Sequence, residues 1–211
     1  MSGFDPLAIR VFASSVAMIA EEMGAVLTRG ALSPNIRERR DASCALFDAG
    51  GRMIAQAAHI PVHLGAMPEA VRAVRERNPA AGDVWLLNDP YHGGSHLPDL
   101  TMVEAIAEDG VIVGYAAVRA HHADVGGMSP GSMPFGATEL VQEGIVLPPI
   151  CLARIHAVQS TALYSCAGAR GTDSPACASH SLSRSASNAR RHDAPMCAEQ
   201  SLFVAFDALA A

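Results

Sequence analysis

Apolar residues recur at three- and four-residue spacing in the first thirty residues, which is the period of an amphipathic helix. Asp5 offers a capping side chain and Pro6 is a favoured first helical residue, so we predict that the helix begins there and ends at Gly30. The predicted apolar face consists of Phe12, Val16, Ile19, Met23, Val26 and Leu27.

The pattern changes to alternation after residue 40. The stretches "DASCALF" (41–47) and "RMIAQAA" (52–58) are joined by "DAGG", which predicts a β-hairpin. The next periodic segment, "MPEAVRAVRER" (67–77), predicts a short amphipathic helix that ends at Asn78-Pro79.

A buried strand, "DVWLLND" (83–89), leads into a glycine-rich loop, and two further strands follow it. "LTMVEAIA" and "VIVGYAAVR" are joined by Asp109-Gly110, a favoured tight turn. With a two-residue turn, Asp99 lies opposite Ala120, and a slip of one residue stays open. Either register brings "SHLPD" (95–99) and "HHAD" (121–124) to the same end of one hairpin.

These elements predict a mixed α/β fold for residues 1–150, with an N-terminal helix, β-hairpins and a short helix around a sheet.

Composition excludes several classes of function. Net charge is −6, which argues against a nucleic-acid partner. All fifteen basic residues are arginine, so a GxxxxGK[ST] phosphate loop is impossible. Glu21 and Glu22 interrupt the apolar run of the first helix, which argues against a membrane span and favours a cytoplasmic protein.

Composition breaks near residue 150. Residues 151–211 hold four of the five cysteines and are rich in Ala and Ser, with almost no periodic apolar pattern before their last residues. A disordered tail, a disulfide-bonded segment and a four-cysteine zinc site are three interpretations. The cytosolic character of residues 1–150 argues against disulfides, and the absence of a CxxC motif argues against the zinc site. We favour a fourth interpretation, a shifted reading frame. The lysine-free sequence implies GC-rich DNA, and a shifted GC-rich frame yields a mixture of Ala, Ser, Arg and Cys like that of the tail. The predicted regions are therefore 1–150, a folded domain, and 151–211, a poorly structured tail that is frameshifted or disordered.

Histidines and carboxylates gather at the shared end of the hairpin. Neutral imidazole and carboxylate together suit Zn, Mn or Fe. His96 and Asp99 are three residues apart beside Pro98, His121 or His122 comes from the facing strand, and Asp41 is a further candidate ligand. For any one histidine a surface pair with an aspartate is the better interpretation; for the converging set we favour a metal site.

Other polar residues give weaker evidence of a functional site. His59 and His63 lie in "HIPVHLG", where Pro61 argues against a zinc-binding helix, so we interpret them as loop or pocket-wall residues. Cys44 lies among apolar neighbours and is predicted to be a core residue. Ser129 and Ser132 are interpreted as turn residues, with a polar pocket as the alternative.

Three long stretches resemble one family. They are "RERRDASCALFDAGGRMIAQAAHIPVHLGAMPEAV", "LNDPYHGGSHLPDLTMV" and "RAHHADVGGMSPGSMPFGATELVQEGIVLPP", and they resemble the N-terminal part of the hydantoinase B/oxoprolinase family over residues 5 to about 150. The family includes subunits or domains of ATP-dependent 5-oxoprolinase and N-methylhydantoinase, and related acetone and acetophenone carboxylases contain the domain.

The resemblance implies a metal-dependent hydrolase that acts on a small cyclic amide. It implies a partner, the hydantoinase A-type subunit, which binds the ATP. Carried over by motif, the metal ligands are Asp41, His96, Asp99 and His121, with His122 and Asp124 as alternatives; no catalytic residue is assigned. Family members run several hundred residues further, so we expect an N-terminal fragment that is inactive alone. The alternatives are a non-catalytic metal-binding remnant and a subunit of a ketone carboxylase.

Overall fold

A computed structural model describes residues 5–58, 60–63 and 65–152. The helices among them are α1 (Pro6–Gly30), α2 (Pro34–Arg37) and α3 (Met67–Arg75), with short 3-10 helices at Pro61–His63, Pro90–His92 and Leu140–Gln142. The strands are β1 (Ala42–Asp48), β2 (Met53–Ala58), β3 (Val84–Leu87), β4 (Asp99–Glu108), β5 (Val111–His121) and β6 (Ile150–Cys151). The predicted mixed α/β class is confirmed for this part of the chain.

Helix α1 begins and ends where the sequence predicts. The Asp5 carboxylate accepts a hydrogen bond from the Leu7 backbone N–H at 3.0 Å, and Pro6 opens the first turn. The buried face is formed by Val16, Ala20, Met23, Gly24 and Leu27.

The predicted apolar face of α1 is only partly buried. Phe12 is 64% exposed and Ile19 is 41% exposed. Small residues at Ala20 and Gly24 instead let the helix approach β1 and β2 closely. By length and composition α1 is the one helix among the described residues that passes the test for a membrane span. Only one side of α1 packs on the sheet, and 28% of its apolar window is buried. The cytoplasmic location stays a prediction.

The six strands form one sheet in the order β2-β1-β5-β4-β3-β6, and every neighbouring pair is antiparallel. One face packs against α1, where Cys44, Met102 and Val118 are buried. The other face packs against α3, whose Met67, Val71 and Val74 cover Val103 and Ala117. Because side chains alternate along a strand, each strand contributes to both cores.

The β4–β5 hairpin contains a register shift that decides which side chains meet at its far end. At the turn, Glu108 pairs with Val111, as predicted, and Asp109 and Gly110 both have positive φ (50° and 79°). Between Ile106 and Ala107 the register shifts by one residue, so that Asp99 pairs with His121 rather than with Ala120. Paired residues share a face of the sheet, so this bulge places Asp99 and His121 on the same side.

The predictions for residues 153–211 lie outside the described residues. Of the tail cysteines, Cys151 alone is described, as a half-buried thiol in β6.

Candidate metal centre

The candidate site lies at the edge of the sheet where β1 and β4 begin and β5 ends. At this edge the Asp99 carboxylate is surrounded by donors. Ser95 Oγ donates to Asp99 Oδ2 at 2.6 Å, His96 Nδ1 lies 3.0 Å from the same oxygen, and His121 Nδ1 lies 3.2 Å from Oδ1. The side chain of Asp99 is 2% exposed, whereas that of His96 is 38% exposed, so the site opens to solvent on the His96 side.

His96, Asp99 and His121 form a group with metal-binding composition. One ligand atom from each lies within 4.8 Å of the other two, and the two imidazole ring centroids are 5.0 Å apart. Two imidazoles and a carboxylate match the mixed N and O donors that Zn, Mn and Fe accept. The donor set therefore fits a divalent ion, and the predicted convergence of these three residues is confirmed as geometry; their role as ligands stays a prediction.

The electrostatics of Asp99 favour its charged form. Burial alone raises the pKa of Asp99, but the hydrogen bonds from His121, His96 and Ser95 outweigh burial and hold that pKa well below its usual range. The same contact with Asp99 raises the pKa of His121. Asp99 is thus held in its charged form beside two imidazoles.

Asp41 lies outside the group of three and approaches it through His63. The Asp41 carbonyl accepts a hydrogen bond from the His121 backbone N–H at 3.0 Å, which fixes Asp41 at the start of β1. His63 Nε2 lies 3.8 Å from Asp41 Oδ1 and 3.6 Å from Asp99 Oδ2. His63, interpreted from sequence as a loop or pocket-wall residue, is therefore in the wall of the site and faces both carboxylates. His59 lies outside the described residues.

A row of three buried polar residues lies two residues further along the strands, on the same face of the sheet as Asp99 and His121. Ser43 pairs with Arg119, and Arg119 pairs with Thr101 on its other side. All three are fully buried. Arg119 donates through Nε to Thr101 Oγ1 at 2.7 Å and through Nη2 to the Gly93 carbonyl at 2.9 Å. Burial lowers the pKa of Arg119, and the nearby Asp99 opposes that effect.

The glycine-rich loop is held by close backbone contacts. Gly93 has φ of 96°, and a Cβ there would lie 2.7 Å from the Ala70 backbone at the start of α3. A Cβ at Gly94 would overlap the carbonyl group of Asn88. The Asn88 amide also donates to the carbonyls of Leu97 and Ile145 at 2.8 and 2.9 Å. These glycines are required by packing.

Both predicted alternative ligands, His122 and Asp124, lie outside the group of three. Asp124 accepts hydrogen bonds from the backbone N–H groups of Gly126 and Gly131 and from Ser132 Oγ, which lower its pKa to about 2, Ser132 having the largest effect. It therefore organises its own loop. His122 is buried, donates its backbone N–H to the Pro98 carbonyl at 2.8 Å, and has a pKa lowered by burial and by His121.

The remaining polar predictions concern Cys44, Ser129 and Ser132. Cys44 is a core residue, as predicted, and burial raises the pKa of its thiol to about 12, with a smaller effect from Glu21. Ser129 and Ser132 lie in a turn, since the Ser132 backbone N–H donates to the Ser129 carbonyl at 3.1 Å.

Sequence reasoning missed Ser43, Arg119 and Asn88. Arg119 interrupts an apolar strand, and Asn88 ends one; in each case a polar residue within a buried pattern was the available signal.

Comparison with known families decides the relationship. The family described as hydantoinase B/oxoprolinase matches residues 5–170. The chain belongs to this family. The match extends to residue 170, beyond the predicted boundary at residue 150, and that boundary stays a prediction.

Two relatives illustrate the similarity. A 5-oxoprolinase of Dictyostelium discoideum is 44% identical over 146 residues, which cover 68% of this chain and 12% of that protein. A Pseudomonas sp. protein, provisionally named as the B-type component of a D-/L-hydantoinase, is 36% identical over 135 residues, covering 61% and 23% of the two chains. The first curated relatives, from Schizosaccharomyces pombe and Methanocaldococcus jannaschii, are matched over 11% and 27% of their lengths.

Two solved structures share the fold. The ATP-dependent caprolactamase from Pseudomonas jessenii superposes with a TM-score of 0.64 at 31% identity, over 72% of this chain and 27% of that one. Nucleotide-free acetone carboxylase superposes with a TM-score of 0.67 at 21% identity, over 76% and 22% of the two chains. The second similarity concerns the fold alone.

Proposed function

We propose that this chain supplies the metal-binding half-site of a hydantoinase B-type, ATP-dependent cyclic-amide hydrolase. The observation that carries the proposal is the meeting of His96, Asp99 and His121 at one sheet edge. The family match and the names 5-oxoprolinase and caprolactamase among its relatives support a cyclic-amide substrate.

The ligands of the proposed site are His96, Asp99, His121 and Asp41. A divalent ion bound there would supply Lewis-acid chemistry, polarising a carbonyl oxygen of the substrate. The chain's own residues orient the ligands. Ser95 holds Asp99 from the solvent side, and Arg119 holds the glycine-rich loop through the Gly93 carbonyl.

ATP is assigned to a partner, the hydantoinase A-type subunit. Two observations support this assignment. The chain has no lysine for a phosphate loop. One relative is named as the B-type component of a hydantoinase, and the caprolactamase structure is titled ATP-dependent. In this scheme the partner activates the cyclic amide, and the activated intermediate reaches the site described here.

Metal binding tests the half-site. The 211-residue chain is titrated with Mn²⁺ or Zn²⁺, alongside His96→Ala and Asp99→Ala. We expect binding by the wild-type chain and at least a tenfold loss in each variant, because each lacks one ligand. Equal binding by all three proteins would remove the proposed site.

Turnover tests the reaction class. Ring opening of 5-oxoproline and hydantoin is followed with ATP and metal, by the chain alone and with an A-type partner. We expect no turnover in either case, because the chain corresponds to at most 27% of the length of the curated relatives described above. Turnover that is lost in His96→Ala would show that the site is complete as it stands. ATP-dependent carboxylation of acetone in place of ring opening would favour the carboxylase alternative.

A further inference from the structure

His63 is a buried residue that lies close to both carboxylates of the site. It is 1% exposed, and it comes from the 3-10 helix Pro61–His63, which is separate from the strands that carry the proposed ligands. Its Nε2 faces Asp41 Oδ1 and Asp99 Oδ2 at 3.8 and 3.6 Å. Asp99 thus lies between His63 on the buried side and the half-exposed His96 on the solvent side.

The other ring nitrogen of His63 is held by Ser43. Ser43 Oγ lies 3.0 Å from His63 Nδ1, and both residues are buried. A serine hydroxyl either donates or accepts, so this contact alone does not fix the tautomer.

The two carboxylates favour one tautomer. His63 Nε2 lies 3.8 Å from Asp41 Oδ1 and 3.6 Å from Asp99 Oδ2, which is longer than a hydrogen bond, but an N–H there is attracted to the two carboxylates whereas a lone pair is repelled. In a neutral imidazole the proton on Nε2 leaves Nδ1 as an acceptor, and Ser43 then donates its hydroxyl hydrogen. The imidazole that results is oriented by one hydroxyl and directed at two carboxylates.

We infer that His63, oriented by Ser43, is a positioning residue that directs the Asp41 and Asp99 carboxylates toward one shared ion. This inference rests on the proposed metal site and extends it. It connects Asp41, which lies outside the group of three, to Asp99 through His63. It also assigns a role to the fully buried Ser43 hydroxyl in a strand whose other inward residues on that face are apolar.

Ser43→Ala provides the first test, because it removes one oxygen atom and leaves His63 in place. The full chain is titrated with Mn²⁺, and the visible spectrum of its Co²⁺ form is recorded. We expect the Mn²⁺ dissociation constant to rise about tenfold or more, in the range typical of residues that orient ligands. Cys44→Ala is the matched control, because Cys44 is equally buried in the same strand and faces the opposite core. It should bind as the wild type does.

A pair of substitutions at His63 provides the second test. Gln carries an N–H near the position of Nε2, whereas Leu carries none. We expect His63→Gln to bind Mn²⁺ within about threefold of the wild type with the wild-type Co²⁺ spectrum, and His63→Leu to bind at least tenfold more weakly with a changed spectrum.

The outcomes separate this inference from the proposed function. Wild-type affinity in both Ser43→Ala and His63→Leu, with His96→Ala weakened, would overturn the positioning role and keep the metal site. Equal loss in His63→Gln and His63→Leu would overturn the donor role. An absence of binding by the wild-type chain would instead overturn the proposed function. If His63→Leu does not fold, shown by circular dichroism, Ser43→Ala and His63→Gln still decide the question.

Discussion

At the scale of single residues, the buried polar side chains divide into those with a partner that explains them and those without. Arg119 belongs to the first group through Nε and Nη2, which tie the β4–β5 hairpin to the glycine-rich loop, although its Nη1 has no hydrogen-bond partner among the described residues. Glu104 belongs to the second: it is 6% exposed, and its Oε2 has no hydrogen-bond partner among the described residues. We therefore expect substitutions at these two residues to have different effects on the free energy of unfolding.

Glu104 should make the fold less stable as pH rises from 4.5 to about 7. Burial raises its pKa to about 7 from an ordinary value of 4.5. A carboxyl whose pKa is raised in the folded state does not lower the free energy of unfolding below pH 4.5. Its destabilising effect grows as pH rises to about 7, because the carboxyl ionises more readily in the unfolded chain. Glu104→Gln should therefore stabilise the chain at about pH 8, by at most about 3 kcal/mol, with no gain at about pH 4.5.

Urea unfolding across this pH range measures the effect. Glu108→Gln, exposed on the same strand, is the control. A variant Glu104→Gln that follows the wild-type pH dependence would show that Glu104 does not titrate as described.

Arg119 should be required for folding stability. Replacement by Met keeps much of the side-chain volume but leaves Thr101 Oγ1 and the Gly93 carbonyl without their donor, and leaves the buried Asp99 charge less compensated. We expect Arg119→Met to lower the free energy of unfolding by about 2–4 kcal/mol. Arg77→Met, at an exposed position, should change it by less than about 0.5 kcal/mol. Similar urea midpoints for the two variants would contradict this role.

At the scale of elements, the site depends on one loop and one bulge. The loop between β3 and β4 carries Ser95 and His96, and its path is set by the approach of Gly93 to α3 and of Gly94 to Asn88. The bulge between Ile106 and Ala107 sets which face His121 occupies. The bulge itself contains no proposed ligand, but together with the loop it decides whether the ligands meet.

Gly94→Ala tests the loop. The added methyl group has no space beside the Asn88 carbonyl, so the backbone must shift. We expect lower thermal stability and at least a tenfold weaker affinity for Mn²⁺. Gly65→Ala is the matched control, because a Cβ at Gly65 would meet no atom within 4 Å. Unchanged affinity in Gly94→Ala would mean that the loop does not position His96.

The sequence predicted most elements but not their details. Capping at Asp5, the Asp109-Gly110 turn and the alternation in β1 are local signals, and each element begins or ends close to where they indicate. Phe12 lies on the predicted apolar face and is exposed, because helical periodicity indicates which residues share a face and not which part of that face another element covers. The bulge left no local signal, so the pairing of Asp99 with His121 was one of two open registers. His63 was undervalued because its role depends on contacts with residues distant in the sequence.

At the scale of the whole molecule, the described part is one sheet with a core on each face, and the candidate site lies at one edge of it. The frameshift interpretation of residues 151–211 stays a prediction, which the coding DNA around codons 145–155 tests. An alternative frame that continues the family's sequence would support it, and its absence would contradict it.

The central claim is that Asp99 is the carboxylate of a metal site at this edge. The most direct measurement is Mn²⁺ binding by calorimetry to the wild-type chain, Asp99→Asn and Asp124→Asn, with folding of each checked by circular dichroism. Asn keeps the shape of Asp and removes its charge, so we predict one ion per wild-type chain, at least a tenfold loss in Asp99→Asn, and wild-type affinity in Asp124→Asn. Folded Asp99→Asn that binds as tightly as the wild type, or loss in Asp124→Asn instead, would contradict the account.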